Sequence, residues 1–79
     1  VTPEELLAAC AERRRWYAEH NLTSEPGLQL TLPRPPGRGE RMRVIPGVLG
    51  EVCCWNGETT VVRVLVRDVE KALAKGARP

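Results

Sequence analysis

The chain has no phenylalanine, and its aromatic residues are Trp16, Tyr17 and Trp55 alone, so aliphatic side chains must fill the interior. No apolar run approaches the 18 or more residues that would span a bilayer, and the start shows no basic-then-apolar leader. It therefore reads as a soluble, cytoplasmic protein with no membrane partner. Histidine occurs once, at His20. The three cysteines, Cys10, Cys53 and Cys54, include no pair at zinc-finger spacing, and no metal centre or cofactor is expected. On an unbroken strand Cys53 and Cys54 point to opposite faces, a poor arrangement for ligating one ion together. Free, mostly buried thiols in a reducing compartment are the expectation. A Cys–His nucleophile would need Cys10, Cys53 or Cys54 beside His20 and a third orienting group, and no such signature is present. Glu51 and Glu58 fall at distant ends of one hairpin, so paired-carboxylate chemistry is not expected either. No catalytic residue is assigned.

Charge of neither sign dominates, the net being +2, yet ten of the twelve basic residues are arginine. Arginine suits planar, bidentate contact with phosphate or carboxylate, although the abundance of Ala, Gly, Pro and Val also fits a GC-rich coding genome. Seventy-nine residues make one domain, residues 1–79. A chain of this size buries only about 60% of the surface that its unfolded form exposes. Its core is small, and burial against a partner would supplement it.

Elements follow from local chemistry. Thr2-Pro3-Glu4-Glu5 is a capping box with proline in the first helical position, opening a helix over about 3–20. Leu6, Leu7, Cys10, Ala11, Tyr17 and Ala18 recur at helical steps, with Trp16 near the edge and Glu12, Arg13, Arg15 and Glu19 on the polar face. Asn21 suits the helix stop. Leu28-Gln29-Leu30-Thr31-Leu32 alternates as a strand does. Residues 33–41, rich in Pro, Gly and Arg, form an exposed loop, and Pro33-Arg34-Pro35-Pro36 within it has the minimal spacing of a polyproline ligand. Met42 to Ile45 is a short strand ended by the Pro46-Gly47 turn.

The richest stretch is a β-hairpin over Val48–Val66, turned at Asn56-Gly57, the residues of a two-residue type I′ loop. That loop would set Trp55 opposite Glu58, Cys53 opposite Thr60 and Val52 opposite Val61. Val62, Val64 and Val66 lie on one side of the second arm, Val61 and Leu65 on the other. A strand apolar on both sides calls for cover on both sides. Arg63 interrupts the second face and should lie near the sheet's margin or reach solvent. Asp68 is the expected cap of a short helix over about 68–75, with Gly76 as its terminator, and Ala77 to Pro79 should fray. The fold class is α+β: a small antiparallel sheet centred on the hairpin, flanked by two helices.

Val44, Gly47, Gly50 and Val52, followed by the hairpin, resemble the core of small β-barrels of the Src-homology-three type, KOW modules in particular, over residues 42–66. The resemblance implies a barrel whose loops touch RNA or another protein. The chain departs from that pattern at Pro46, Val48 and Leu49, which stand where the turn is usually basic, and in having a helix where later strands would follow.

These features point to a small non-enzymatic binding module acting through protein contact or self-association, such as an accessory subunit of a larger phage or mobile-element assembly. Trp55, Trp16, Tyr17, Leu49, Val62 and Val64 are the candidate protein interface, exposed aromatics being common interface anchors. The alternative is a nucleic-acid-binding module in which Arg13, Arg14, Arg15, Arg34, Arg38, Arg41 and Arg43 contact phosphates, with Trp16 and Tyr17 placed to stack on bases.

Overall fold

The computed structural model describes residues 2–76 and has the expected α+β fold. Helix α1 (Pro3–Glu19) precedes strands β1 (Gly27–Leu32), β2 (Arg41–Ile45), β3 (Val48–Trp55) and β4 (Thr60–Leu65), and helix α2 (Val66–Ala74) closes the chain. The strands form one antiparallel sheet in the order β1-β4-β3-β2. Arg41, assigned from sequence to the loop, is the first residue of β2. The expected frayed tail lies outside the described residues.

Helix α1 starts as its sequence dictates. Thr2 Oγ1 accepts from the Glu5 amide at 3.1 Å, and the Glu5 carboxylate accepts from the Thr2 amide at 3.4 Å. It ends in a Schellman arrangement: Asn21 takes φ +56°, its amide donates to Ala18 O, and the Leu22 amide donates to Tyr17 O at 2.9 Å. The packed face differs from the expected one. Leu6 and Cys10 are buried and Arg13 and Tyr17 half-buried, a stripe at steps of four, three and four, whereas Leu7, Ala11 and Ala18 are exposed. Arg13 belongs to this stripe because its long stem packs while its head finds a polar partner.

The β3–β4 connection is also revised. Its loop has four residues, Asn56 to Thr59, because the Asn56 side chain organises it. Asn56 Oδ1 accepts from the amides of Glu58 at 2.9 Å and Thr59 at 2.8 Å, and the Asn56 amide donates to Thr59 O at 3.2 Å. Such an Asx turn competes with the type I′ geometry. Trp55 consequently pairs with Thr60, and Val52 pairs with Val62. Between them Cys54 pairs with Val61, leaving Cys53 as the extra residue of a β-bulge.

A second irregularity lies at Val44, between the pairs Arg43–Leu49 and Ile45–Val48. Bulges bend the strand that carries them, and here the sheet bends far enough that both edge strands line one cavity. Gln29, Leu30, Thr31 and Leu32 of β1, Val44 and Ile45 of β2, and Leu6 of α1 line a partly open cavity of about 180 Å³. Gly50 sits on the inner side of the bend. A methyl group there would meet Val44 Cγ2 at 2.9 Å, Val64 Cγ1 at 3.1 Å and Val62 Cβ at 3.2 Å.

Helix α2 begins two residues earlier than expected, directly off β4, and Asp68 does not cap it. Leu65 is the N-cap and makes no side-chain bond. The Val66 amide instead donates to Pro26 O at 3.0 Å, so the strand-to-helix corner is held by backbone ahead of β1. Val66 and Val69 are buried, and Gly76, at φ +91°, ends the helix by donating to Leu73 O.

One core results, formed by Leu6 and Cys10 of α1, Val66 and Val69 of α2, and Ile45, Val48 and Val64 of the sheet, with Leu28, Leu30, Val44, Ala72 and Leu73 packed around it. Both helices therefore serve the inner side. The outer side of β4, expected to need cover, is left largely open by the described residues: Val61 and Leu65 are only half-buried there and Arg63 is exposed.

The bend makes a specific demand at Gly50. Gly50→Ala should lower unfolding stability by about 1–3 kcal/mol through overpacking, seen as a reduced urea midpoint with an unchanged slope.

Candidate binding surface

The outer side of the sheet is built by strand register. Gln29, Arg63, Glu51 and Arg41 pair in sequence across all four strands, and Arg43 pairs with Leu49 on the same side. Every one of these six side chains is exposed, Leu49 by 61%. Arg41 and Arg43 share this face because residues two apart on a strand point the same way.

Arg63, which sequence reasoning did not place in any site, is the central cation of this surface. Its guanidinium lies flat against β1, where Gly27 leaves room: a methyl at Gly27 would meet Arg63 Nε at 2.8 Å. The same glycine receives α1. Arg13 Nε donates to Gly27 O at 3.0 Å, and the Gly27 amide donates to the Tyr17 hydroxyl at 3.2 Å. Two arginines from different elements thus converge on one residue. The alternation Arg41-x-Arg43 and a lone arginine amid the valines of β4 were the available sequence signals.

The helical arginines are committed elsewhere. Arg14 grips Glu70 of α2 through Nη2 at 2.6 Å and Nε at 3.1 and 3.2 Å. Arg15 stands 4.0 Å from Glu19 in an exposed pair across one helical turn, an arrangement of little energetic weight. Arg13 also covers the Trp16 ring, 4.7 Å from its centroid. His20 stacks on Trp16 at 4.0 Å, with Nδ1 2.8 Å from Trp16 O. Trp16, 40% exposed, thus has its ring engaged by both Arg13 and His20, and the Tyr17 hydroxyl is already bonded.

Arg34, Arg38, Arg41, Arg43 and Arg63 differ from these. Among the described residues no carboxylate oxygen lies within 4 Å of any of the five. Arg34 is anchored: its side chain donates to Arg43 O, and its own carbonyl accepts from Thr60 Oγ1 at 2.6 Å. The start of the proline-rich loop is therefore tied to the sheet.

The expected protein interface is divided by the fold. Val62 and Val64 are 0% and 3% exposed and belong to the interior, because the four-residue loop and the bulge set them against Val52, Leu30 and Leu28. Leu49 remains on the outer face, and Trp55, 42% exposed, stands beside the turn. The cysteines are redistributed too. Cys10 is buried, while Cys53 and Cys54 are both exposed, contrary to the expectation of mostly buried thiols, since the bulge lies near the end of the hairpin beyond the helices. Burial, and secondarily the nearby Glu70 carboxylate, push the Cys10 thiol above its ordinary value against a smaller opposing effect of Arg14. Ten helical residues, about 15 Å, separate Cys10 from His20. Among the described residues, no three or more His, Cys, Asp or Glu side chains are grouped to hold a metal ion, and no helix is long and apolar enough to cross a membrane.

A small α+β domain with a strongly bent four-stranded sheet, helices on one side and arginines on the other, is what these observations define. Comparison with protein-family models, with curated proteins and with solved structures finds no match.

The Arg14–Glu70 clamp has a pH signature. Its hydrogen bonds hold the Glu70 carboxyl below the usual carboxylate value. A depressed folded-state pKa contributes stability that is complete above the unfolded value and is lost as pH falls through the folded one. Glu70→Gln should therefore be modestly less stable than the native chain at pH 7, with the difference shrinking as pH falls below the usual carboxylate range in parallel urea titrations.

Proposed function

We propose that this chain is a small non-enzymatic binding module that holds nucleic-acid phosphates on the outer side of its sheet. The observation that carries the reading is the set of three exposed arginines, Arg41, Arg43 and Arg63, on the outer face, with Arg34 and Arg38 on the adjoining loop and, among the described residues, no carboxylate within 4 Å of any of them, although Asp68 of α2 and Glu51 line the same recess as Arg41 and Arg63. Guanidinium groups in fixed register suit the repeating phosphates of a nucleic-acid backbone. Base-stacking has less support, since the Trp16 ring already packs against Arg13 and His20. The interaction is one of shape and charge without sequence readout. Glu51, between Arg41 and Arg63, opposes it and limits the affinity.

A second reading is favoured by Leu49 and Trp55, the exposed apolar residues of the hairpin. They suit contact with a protein partner or a second copy of the chain, as in an accessory subunit of a larger assembly.

Fluorescence anisotropy with a labelled duplex separates the two. Under the first reading log K should fall linearly with log salt concentration, and each of Arg41→Ala, Arg43→Ala and Arg63→Ala should reduce the slope by about 1. No binding at low salt, or slopes unaltered by all three substitutions, would refute it. The second reading calls for a concentration-dependent mass in sedimentation that Leu49→Asp abolishes.

A further inference from the structure

The bulge at Cys53 removes the geometric reason for separating the two adjacent thiols. On an unbroken strand Cys54 would share the inward side of Val52, its neighbour two residues back. The extra residue shifts the register, so that Cys54 is paired with Val61 of the outer face while Val52 remains paired with Val62. Cys53 precedes it on that same outward side, and its Sγ makes only a long contact of 3.8 Å with Glu51 O. Both thiols are exposed and neither is in a disulfide. The third thiol, Cys10, is sealed beneath the helices and does not compete.

We propose that Cys53 and Cys54 together form a vicinal-dithiol site for soft, thiophilic electrophiles that accept two sulfurs, with trivalent arsenic as the chemical class. Thiolate sulfur is the soft ligand that such centres prefer over oxygen and nitrogen. With phenylarsine oxide the reaction is balanced without an oxidant. Two As–S bonds form, the two thiols release their protons, the arsenic-bound oxygen leaves with both as one water, and arsenic stays trivalent. Attachment of the second sulfur is intramolecular, so the pair should hold the arsenical about 10²–10⁴-fold more tightly than either thiol alone. The site does not depend on the nucleic-acid reading.

The test is intact-protein mass spectrometry of the native chain with phenylarsine oxide in excess monothiol. One bridging phenylarsenic per chain is expected, retained against monothiol and released by a dithiol. Cys53→Ser and Cys54→Ser should each lose retention by at least about a hundredfold, with circular dichroism and the thermal midpoint showing that both variants fold. Retention undiminished in both single variants, or an adduct on the native chain that monothiol strips completely, would overturn the proposal.

Discussion

The bending of the sheet is the constraint on which the remaining structure depends. With few aromatics available, the interior is assembled from valine, leucine and isoleucine, and a flat four-stranded sheet with two short helices would leave much of that aliphatic surface wet. Two bulges, at Val44 and Cys53, and a glycine at 50 with no room for a methyl group let the sheet coil instead. Val62 and Val64 then meet Leu28 and Leu30 from one side and β3 from the other, and Leu6 reaches the space that both edge strands line. Small domains have little apolar surface to spare. Coiling the sheet lets one modest set of side chains close a single core.

A consequence is asymmetry. A coiled sheet has an inside and an outside, and both helices are needed at the inside, where Cys10, Val66 and Val69 are buried. The corner from β4 into α2 has no connecting loop, so α2 is held close to the strand it leaves and anchored by the Val66–Pro26 bond. Helix α1 is tied to α2 by Arg14 and Glu70 and to β1 by Arg13 and Tyr17 at Gly27. With both helices committed, nothing within the described residues covers the outer row from Gln29 to Arg41. That row is polar and charged, as an exposed antiparallel face should be. The half-buried Val61 and Leu65 are screened by their neighbours in the sheet and do not need a second layer.

Local chemistry made most elements legible. The capping box at Thr2 and Glu5, the Asn21 stop, the Pro46-Gly47 turn and the alternating leucines of β1 each act over a few residues, and each appears where expected. What failed were inferences that required counting along a strand. The reading of Asn56-Gly57 as a two-residue loop was sound in propensity, but the Asn56 side chain satisfied two amides of a longer turn, and a bulge then absorbed one residue. A one-residue change reverses which face a side chain occupies. The Cys53–Cys54 pair was misread for that reason, and the expected pairing of Val52 with Val61 went with it. The role of Arg13 was hidden differently: its polar character marked the solvent face, while its aliphatic stem and the carbonyl of Gly27 made an inward place acceptable.

The division among the arginines bears most directly on function. Arg13 and Arg14 on α1 are bonded within the fold, and their removal would be felt as structure. Those on β2, β4 and the proline-rich loop have no carboxylate within 4 Å among the described residues. Like charges held near one another on a rigid scaffold are mutually repulsive, and salt relieves this only in part within a Debye length of about 8–10 Å. A polyanion relieves it more fully, because it replaces diffuse counterions with phosphates fixed in register. The same binding would stabilise the folded chain by mass action, since the unfolded chain does not hold the arginines in place. Were the outer face to hold a polyanion as proposed, a domain with so small a core would be at its most stable when that face is occupied. The bent sheet makes that face available by committing both helices to its inner side.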